Sequence, residues 1–592
     1  MCYIGQTLEP NTIIDTELYM QTEGYKFILT APLTEIIDNP GFFIQMGMAS
    51  MPGWLEGVFD RKYPNWKDVP LNEDGSCASA PAGLRVLEEV LTREFGAGSC
   101  VIAHPETVEK FIGPATRAVA VSTHNPLGVT FAAGVYASMF GSSKNPINSL
   151  YSLRLFEKIK ANPYRDSFRV IVGGSGSWQI SETNSFEKLG IDCAVDGRAE
   201  SRDAVDLFRK ALNGDTLPRE LKVVHPNNPL SLVIPDKRTA FGVIEMTTGC
   251  GRRCNFCLPD LNPQMSVPKD RIMRAVAGNV AAGNTQISLA TEDMFIWGFN
   301  ERQPFFFPNR NALLDLHRSI VEHAGVKWIT LSHATIAPAV VDPKLIEELS
   351  AMLLDKSPIR MPNVSSHPEG RTLNPLIGLE TGSIRMARKI MAGKSLPFEA
   401  EHWPSVVING LEVFNRNNWI PVMTLIIGAP GETDADVQET LDLIFEIERR
   451  GLHVILVPSV FTPLKDTRME NMVGVTETIQ LSKIQWQLMM SCWKISASIA
   501  LQSWWGPFAW SLGAFLFWAF RGRRVNGPNF TWPAMHFTRM IPSSITYRMG
   551  GLYRGKPLKI LSRDKLLDTV ASKWKPYFAD APGEKTMAAA KL

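Results

Sequence analysis

The chain has 592 residues, of which 45% are hydrophobic and 20% charged, and 61 basic against 59 acidic residues leave a formal net charge of +2. This balance excludes a nucleic-acid binder driven by charge, and the apolar content excludes a disordered chain. At roughly 150 residues per domain, the length predicts about two to four domains. Eight cysteines are too few for a disulfide scaffold. Because the N-terminus shows no secretory signal, the expected compartment is the cytoplasm.

Short apolar runs alternate with amphipathic segments from residue 26 to residue 212. The runs predict strands at 26–32, 99–105, 117–123, 169–174 and 193–197, and apolar residues at helical spacing predict helices at 83–91 and 204–212. Such an alternation is typical of α/β proteins with a parallel, doubly wound, Rossmann-like sheet. We expect the proline- and glycine-rich stretch 33–80 to be a long loop and 213–240 to be a connector.

A second alternating series begins near residue 241. Its predicted strands lie near 242–247, 285–290, 327–332, 376–380, 421–428 and 453–461. The clearest helix is 434–450, which has Thr433 and Asp436 as a capping box and Gly451 just past its end. Six successive β/α units predict a partial (β/α)6 barrel with active-site groups at the C-terminal ends of the strands.

After about residue 475 the alternation stops, and seven of the fifteen tryptophans fall within residues 486–532. This shift predicts a mainly helical third domain over 471–592, which could bind substrate. It would follow a Rossmann-like domain over 1–225 and a barrel over 241–470. The uncharged stretch Trp504–Phe520 is shorter than the roughly 20 residues of a membrane span and is interrupted by glycine and proline. A buried or interfacial helix is therefore favoured over a membrane span.

Cys250, Cys254 and Cys257 form a CxxxCxxC motif directly after the first barrel strand. Three thiolates on one loop can ligate three irons of a [4Fe–4S] cluster and leave the fourth iron open. A zinc site needs a fourth ligand, and no Cys or His follows nearby in the sequence. Cysteines that only pack in the core would not need this spacing on a polar loop. An iron–sulfur cluster is the favoured interpretation.

This motif, at the first strand of a β/α barrel, resembles the signature of the radical S-adenosylmethionine (SAM) enzymes. The segments GLETGSIRM (378–386) and LIIGAPGETDAD (425–436) resemble that family's fourth- and fifth-strand segments. SLATEDMF (288–295) occupies its second-strand position, with Thr291 and Glu292 in place of paired glycines. The resemblance implies that the open iron binds SAM. The residues expected to contact SAM are Phe256, Glu292, Glu380, Ser383 and Gly428. For Glu380, a salt-bridged strand-end carboxylate is an open alternative.

The N-terminal segments GLRVLEEVL (83–91), AVAVST (118–123), VIVGGSGS (170–177) and CAVDGRAES (193–201) resemble the cobalamin-binding domain that precedes the barrel in one branch of this family. Strand-end loops of a doubly wound sheet are where its ligand binds. A dinucleotide is not favoured, because Gln179 stands where the fingerprint GxGxxG needs a glycine. The residues expected to line the cobalamin are Ser122, Thr123, His124, Gly173, Gly174, Gly197 and Glu200. For His124, contact with the lower face of the corrin and a purely structural role both remain open.

Together these resemblances imply a cobalamin-dependent radical SAM methyltransferase that methylates an unactivated sp3 carbon through a 5′-deoxyadenosyl radical and methylcobalamin. The whole-sequence pattern resembles the methanogen enzymes that C-methylate a glutamine of methyl-coenzyme M reductase. This implies the alpha subunit of that reductase as a protein substrate and ferredoxin or flavodoxin as electron donor. The alternatives are methylation of a lipid or small molecule, oxidative cyclisation with the same cofactors, and a non-catalytic zinc- or cobalamin-binding module. The GxPGET segment counts against the last of these.

Overall fold

The computed structural model describes residues 23–38, 49–130, 145–259, 262–299, 306–475, 480–500, 505–527, 530 and 552–570, with the backbone alone for 505–511. The chain divides into two compact units, with the boundary between Val243 and Ile244.

The first unit contains one six-stranded sheet. Its strands are β1 (Phe27–Thr30), β2 (Cys100–Ile102), β3 (Ala118–Ser122), β4 (Arg169–Gly173), β5 (Cys193–Asp196) and β6 (Glu220–Lys222). They lie in the order β2-β1-β3-β4-β5-β6, and every neighbouring pair is parallel. The order reverses between β1 and β3, which is the switch point where doubly wound sheets open a crevice for a ligand. The predicted parallel α/β sheet is confirmed.

Helices cover both faces of this sheet. They are α1 (Leu33–Ile36), α2 (Glu56–Lys62), α3 (Ala82–Phe95), α4 (Ile147–Lys160), α5 (Trp178–Glu182), α6 (Phe186–Leu189) and α7 (Arg202–Asn213). On one face, Ile159 of α4 belongs to the same buried apolar cluster as Val119 of β3. On the other face, the ring of Phe27 lies 4.9 Å from that of Phe95 and 5.5 Å from that of Phe208. Strands covered on both sides need apolar residues at nearly every position, which is the pattern seen in the sequence.

Two segments of this unit differ from the expectation. The stretch 33–80 contains α1 and α2, and the connector 213–240 contains β6. β6 is an edge strand whose Glu220 and Lys222 are exposed. It therefore lacks the apolar run by which the other strands were predicted.

The remaining strands begin at the boundary between the units and continue through the second unit. They are β7 (Val243–Glu245), β8 (Thr247–Thr248), β9 (Met265–Ser266), β10 (Gln286–Ala290), β11 (Trp328–Leu331), β12 (Leu376–Glu380), β13 (Val422–Ile427) and β14 (Ile455–Val460). Two three-stranded sheets have the orders β11-β10-β7 and β12-β13-β14. A parallel bridge between His333 and Leu376 joins the ends of β11 and β12. The short hairpin β8–β9 is antiparallel. All six predicted barrel strands are present in this order.

Helices alternate with these strands. They are α8 (Lys269–Ala281), α9 (Arg310–Glu322), α10 (Ala337–Val341), α11 (Pro343–Leu353), α12 (Ile384–Met391), α13 (Trp403–Arg416) and α14 (Asp434–Arg449). The predicted capping box of α14 is present, because the side chains of Thr433 and Asp436 each bind the other's backbone N–H. This reciprocal pair satisfies two donors that would otherwise lack partners at the helix start.

The C-terminal part contains α15 (Lys483–Ala500), α16 (Trp505–Asn526) and a helix over 563–570, with residues 552–562 in irregular structure. Ser496 of α15 exchanges two hydrogen bonds of 2.7 Å with the backbone of Leu456 in β14. The rings of Trp486 and Trp518 pack 4.6 Å apart between α15 and α16. Trp504 and Trp532 lie outside the described residues. Across the described helices, none has the length and hydropathy needed to cross a membrane.

Candidate cluster and cofactor sites

The three cysteines follow β8 on one loop. None of the three forms a disulfide; Cys254 is buried, and the other two are half-buried. Burial, followed by the nearby Cys254 and then Cys250, raises the pKa of Cys257 to about 12, although Lys394 lowers it in part. Within the described ranges, no three Cys, His, Asp or Glu side chains surround a common point suited to one metal ion. The donor set, three soft sulfur ligands near one another on one loop, fits a cluster in which each sulfur takes a separate iron.

A buried arginine anchors this loop, and the sequence reasoning did not identify it. The guanidinium of Arg252 donates to Asp293 Oδ2 at 3.0 Å and to Thr335 Oγ1 at 2.9 Å. It also donates to the backbone carbonyls of Lys394 and Leu396, both at 3.1 Å. The side chains of Arg252 and Asp293 are 1% and 0% exposed. The loop is therefore tied to the strand-end segments around it by a fully desolvated, charge-assisted network.

Glu380 and Lys394 form a second buried ion pair beside the cysteines. The Lys394 ammonium lies 3.3 Å from Glu380 Oε1, and Thr424 Oγ1 donates to the other carboxylate oxygen at 3.4 Å. Burial lowers the pKa of Lys394, but Glu380 and all three cysteines outweigh burial and raise it. Glu380 has φ +59°, an uncommon conformation for a residue with a side chain. The salt bridge that the sequence left open as an alternative for Glu380 is thus present.

A cavity of about 550 Å³ opens beside Cys250. Its lining is mainly apolar and includes Ile296, Phe299, Phe306 and Leu396. The volume lies within the usual range of ligand pockets, roughly 300–1,000 Å³.

Phe256 lies on the cysteine loop itself and Glu292 follows β10, and each is half-buried. Burial, followed by the charge of Glu245, raises the pKa of Glu292. The carboxylate of Glu292 is close enough to Cys257 to raise the pKa of that thiol as well. The structure therefore brings the second-strand segment and the cysteine loop together.

Ser383 is a helix-capping residue. Its hydroxyl donates to Asp436 Oδ1 at 2.7 Å, and it caps the N-terminus of α12. It thereby links the segment after β12 to the capping box of α14.

Gly428 is held by Glu432, a residue whose role the sequence reasoning missed. The backbone N–H of Gly428 and the side-chain amide of Gln485 both donate to Glu432 Oε2 at 2.8 Å. Gly428 has φ +77°, and a Cβ there would lie 2.6 Å from Val475 Cγ2. Both the conformation and the space therefore require glycine at this position.

We expect Glu432→Gln to change how stability depends on pH. Burial raises the pKa of Glu432 to about 7, although the hydrogen bonds from Gln485 and Gly428 lower it in part. Since the folded pKa exceeds the ordinary value of 4.5, wild-type stability should fall as pH rises from about 4.5 to 7. A glutamine carbonyl can accept both hydrogen bonds without this penalty. The difference in melting temperature between the variant and the wild type should therefore increase as pH rises from about 4.5 to 7.

Thermal unfolding at pH 5, 6, 7 and 8 would measure this effect. The exposed Glu347 on α11 provides the control Glu347→Gln, for which we expect no change in slope. If the stability of Glu432→Gln depends on pH in the same way as that of the wild type, the raised pKa of Glu432 does not contribute to stability in this range.

In the first unit, the loops after β3 and β4 lie in direct contact. Thr123 N donates to Gly173 O at 2.9 Å, and Gly176 N donates back to Thr123 O at 2.9 Å. Gly174 has φ +87°, and a Cβ there would lie 2.6 Å from Thr123 O. The glycines therefore allow two backbones to approach closely, which brings together five of the predicted cobalamin residues: Ser122, Thr123, His124, Gly173 and Gly174.

The other predicted cobalamin residues are close to these loops in the sheet order. Gly197 and Glu200 follow β5, which pairs with β4. Glu200 is bound by Arg198 at 2.7 Å. The exposed ring of His124 is bonded at Nδ1 to Ser175 Oγ at 2.6 Å, which orients Nε2 as the nitrogen that can meet a ligand.

Glu35 on α1 fixes the loop after β3, and the sequence reasoning did not identify it. One carboxylate oxygen accepts from His124 N at 2.8 Å, and the other accepts from Asn125 N at 3.2 Å and Thr123 Oγ1 at 3.4 Å. Burial raises the pKa of Glu35 to about 7, while these bonds lower it in part. Because α1 follows β1, Glu35 bridges the two strands that flank the switch point of the sheet.

We expect Glu35→Gln to weaken cobalamin binding by about tenfold or more. Each carboxylate oxygen of Glu35 accepts a backbone N–H group. A glutamine would place its NH2 group, a donor, against one of these two N–H groups. Above the raised pKa of Glu35, where the carboxylate is ionised, the loss of one charge-assisted hydrogen bond costs about 1.5–3 kcal/mol. Equilibrium dialysis against hydroxocobalamin would measure the change, with the exposed Glu157→Gln on α4 as the control. Equal affinity in both variants would show that Glu35 does not shape the site.

The comparisons with known proteins give partial matches, and no protein-family model matches the chain. The chain is 28% identical over 312 residues to the ribosomal protein uS12 methylthiotransferase RimO of Sorangium cellulosum, covering 50% of this chain and 56% of that protein. It is 23% identical over 310 residues to the tRNA-2-methylthio-N(6)-dimethylallyladenosine synthase of Moorella thermoacetica, covering 47% and 62%. The chain thus spans little more than half the length of these relatives.

Two solved structures of the radical S-adenosylmethionine methyltransferase TsrM from Kitasatospora setae are also similar. One holds cobalamin and a [4Fe–4S] cluster, and the other holds tryptophan substrate and a SAM analog, aza-SAM. Both comparisons cover 75% of this chain at 13% identity, with TM-scores of 0.47 and 0.49 over 77% and 75% of those chains. The chain is similar in sequence to methylthiotransferases and similar, over three quarters of its length, to structures of a radical SAM methyltransferase.

Proposed function

We propose that this chain is a cobalamin-dependent radical SAM methyltransferase that methylates an unactivated sp3 carbon. The observation that carries the proposal is the group of three cysteines on one loop, of which Cys254 and Cys250 act on the pKa of Cys257, and all three act on the pKa of the buried Lys394. Cys250, Cys254 and Cys257 would hold a [4Fe–4S] cluster with one open iron. When bound, the cluster and SAM supply a 5′-deoxyadenosyl radical, and methylcobalamin supplies the methyl group.

The residues around the cysteine loop would bind and orient SAM. In this proposal the half-buried Phe256 and the backbone at Gly428 flank the adenine, and Glu292 lies near the amino group of SAM. The support is that Glu292 influences Cys257 and that Glu432 fixes the turn at Gly428. Glu380 and Ser383 would position the segment after β12, since each already has a buried partner.

In the first unit we propose that cobalamin binds at the strand-end loops. The paired backbones of the β3 and β4 loops, with Gly197 and Glu200 after β5, would line the corrin or its nucleotide tail. The exposed His124 would face the lower side of the corrin through Nε2. The support is the position of these loops at one edge of a parallel sheet, which is where such folds bind ligands.

For the substrate, we propose a protein residue, the glutamine that is C-methylated in the alpha subunit of methyl-coenzyme M reductase, with ferredoxin or flavodoxin as electron donor. The support is the whole-sequence resemblance. The similarity to methylthiotransferases favours a second candidate, in which a methylthio group rather than a methyl group is transferred.

Anaerobic purification followed by reaction with SAM and a strong reductant tests the proposal. We expect iron–sulfur and cobalamin absorption, and 5′-deoxyadenosine together with S-adenosylhomocysteine as products. A peptide that spans the glutamine should gain the mass of CH2, because a methyl group replaces one hydrogen. A gain of one methylthio group would support the second candidate, and a modified product without added carbon would indicate an oxidative cyclase. A cluster without bound corrin would overturn the cobalamin-dependent reaction.

A further inference from the structure

We propose that Lys394, with Glu380 as its counter-ion, sets the reduction potential of the cluster held by Cys250, Cys254 and Cys257. This inference rests on the proposed function, because it requires the cluster to be present.

The segment that carries Lys394 lies against the cysteine loop. The carbonyl of Lys394 accepts a hydrogen bond of 3.1 Å from Arg252 Nη1. Gly393 approaches the backbone of Arg252 so closely that a Cβ at Gly393 would overlap the Arg252 carbonyl. The backbone position of Lys394 is therefore fixed relative to the thiols by the same arginine that anchors their loop.

The Lys394 side chain is only 15% exposed, and its ammonium is paired with Glu380 at 3.3 Å. A Cβ at Gly378 would overlap both the ammonium and the Glu380 carboxylate. The bare backbone at Gly378 therefore provides the space in which this pair sits. Because the ion pair occupies the space that a side chain at position 378 would fill, its geometry is restricted.

The ammonium of the pair is coupled electrostatically to the cysteines, whose loop the Lys394 backbone contacts through Arg252. All three cysteines perturb Lys394, whereas Glu380 is perturbed by burial, Lys394 and Thr424 and by none of the cysteines. Within this pair the ammonium therefore acts on the cysteines more strongly than the carboxylate, and neutralising Glu380 would leave the charge of Lys394 less compensated.

Charge near a cluster acts directly on its potential. Reduction adds one electron to a centre that already carries three thiolates, so a nearby ammonium stabilises the reduced form and a carboxylate opposes it. Little water reaches Lys394 to screen the interaction. The two residues should therefore shift the potential in opposite directions, which a role in packing alone would not do.

The test is a redox titration of the full-length, cluster-loaded protein without SAM, followed by electron paramagnetic resonance of the reduced cluster. At a fixed solution potential, Lys394→Met should lower the ratio of reduced to oxidised cluster at least tenfold, which is about 59 mV for a one-electron couple. Lys394→Arg should keep the wild-type ratio, and Glu380→Gln should raise it. The exposed Lys344→Met on α11 is the matched control and should change nothing.

The experiment distinguishes failure of the proposed function from failure of the role of Lys394. Absence of iron and sulfide from the wild-type protein would overturn the proposed function itself. A loaded Lys394→Met protein with the wild-type potential would overturn only the role of Lys394. If Lys394→Met does not retain the cluster, the potential of Glu380→Gln is measured instead, because that variant keeps the Lys394 ammonium. An unchanged or lowered potential in Glu380→Gln would overturn the proposal.

Discussion

Cys254→Ala should abolish cluster assembly and 5′-deoxyadenosine formation while leaving cobalamin bound. Cys254 is the middle cysteine of the motif and is 7% exposed. Two thiolates cannot replace the three ligands that leave a single open iron, and SAM then has no iron to bind. The measurements are iron and sulfide content per chain, the visible spectrum, and chromatography of the SAM cleavage products.

The matched control is Cys492→Ala. Cys492 is a fully buried cysteine of α15 and packs as a small apolar residue. It should lose some stability but retain cluster and activity. Loss of both cofactors in Cys254→Ala would contradict the assignment of cluster and corrin to separate units of the chain.

Arg252→Met should destabilise the protein by about 3–5 kcal/mol, the usual penalty when one partner of a buried ion pair is removed. Asp293, 0% exposed, would lose its guanidinium partner. The cysteine loop would also lose its bonds to the carbonyls of Lys394 and Leu396. We therefore expect iron content to fall together with stability, measured by chemical denaturation and metal analysis.

A double variant separates these two effects. Arg252→Met with Asp293→Asn removes the unpaired buried charge and keeps a side-chain acceptor at the cap of the turn at 294–296. Its stability should recover, but the loop should remain unanchored and the cluster poorly retained. Arg274→Met on α8 breaks an exposed pair and should cost less than about 1 kcal/mol. Full cluster content in the double variant would show that Arg252 contributes stability alone.

The elements that the sequence predicted correctly are those with buried apolar runs. β1 to β5 and β10 to β14 lie within a few residues of their expected bounds, because strands covered on both faces need apolar residues at almost every position. β6 escaped prediction since its Glu220 and Lys222 face solvent at a sheet edge. The capping box of α14 was predictable because its donors and acceptors lie within three residues of each other.

The ligand set of the cluster was also determined locally, since three cysteines on one loop are neighbours in sequence as well as in space. The groups that hold this loop are not. Arg252 meets Asp293, Thr335 and the carbonyl of Leu396 across 41 to 144 positions of the chain, and Glu35 meets His124 across 89. Only the tertiary structure brings such charges together. Their pairing depends on which strand ends share an edge and on how fully burial excludes water, and neither is encoded in any short segment of sequence.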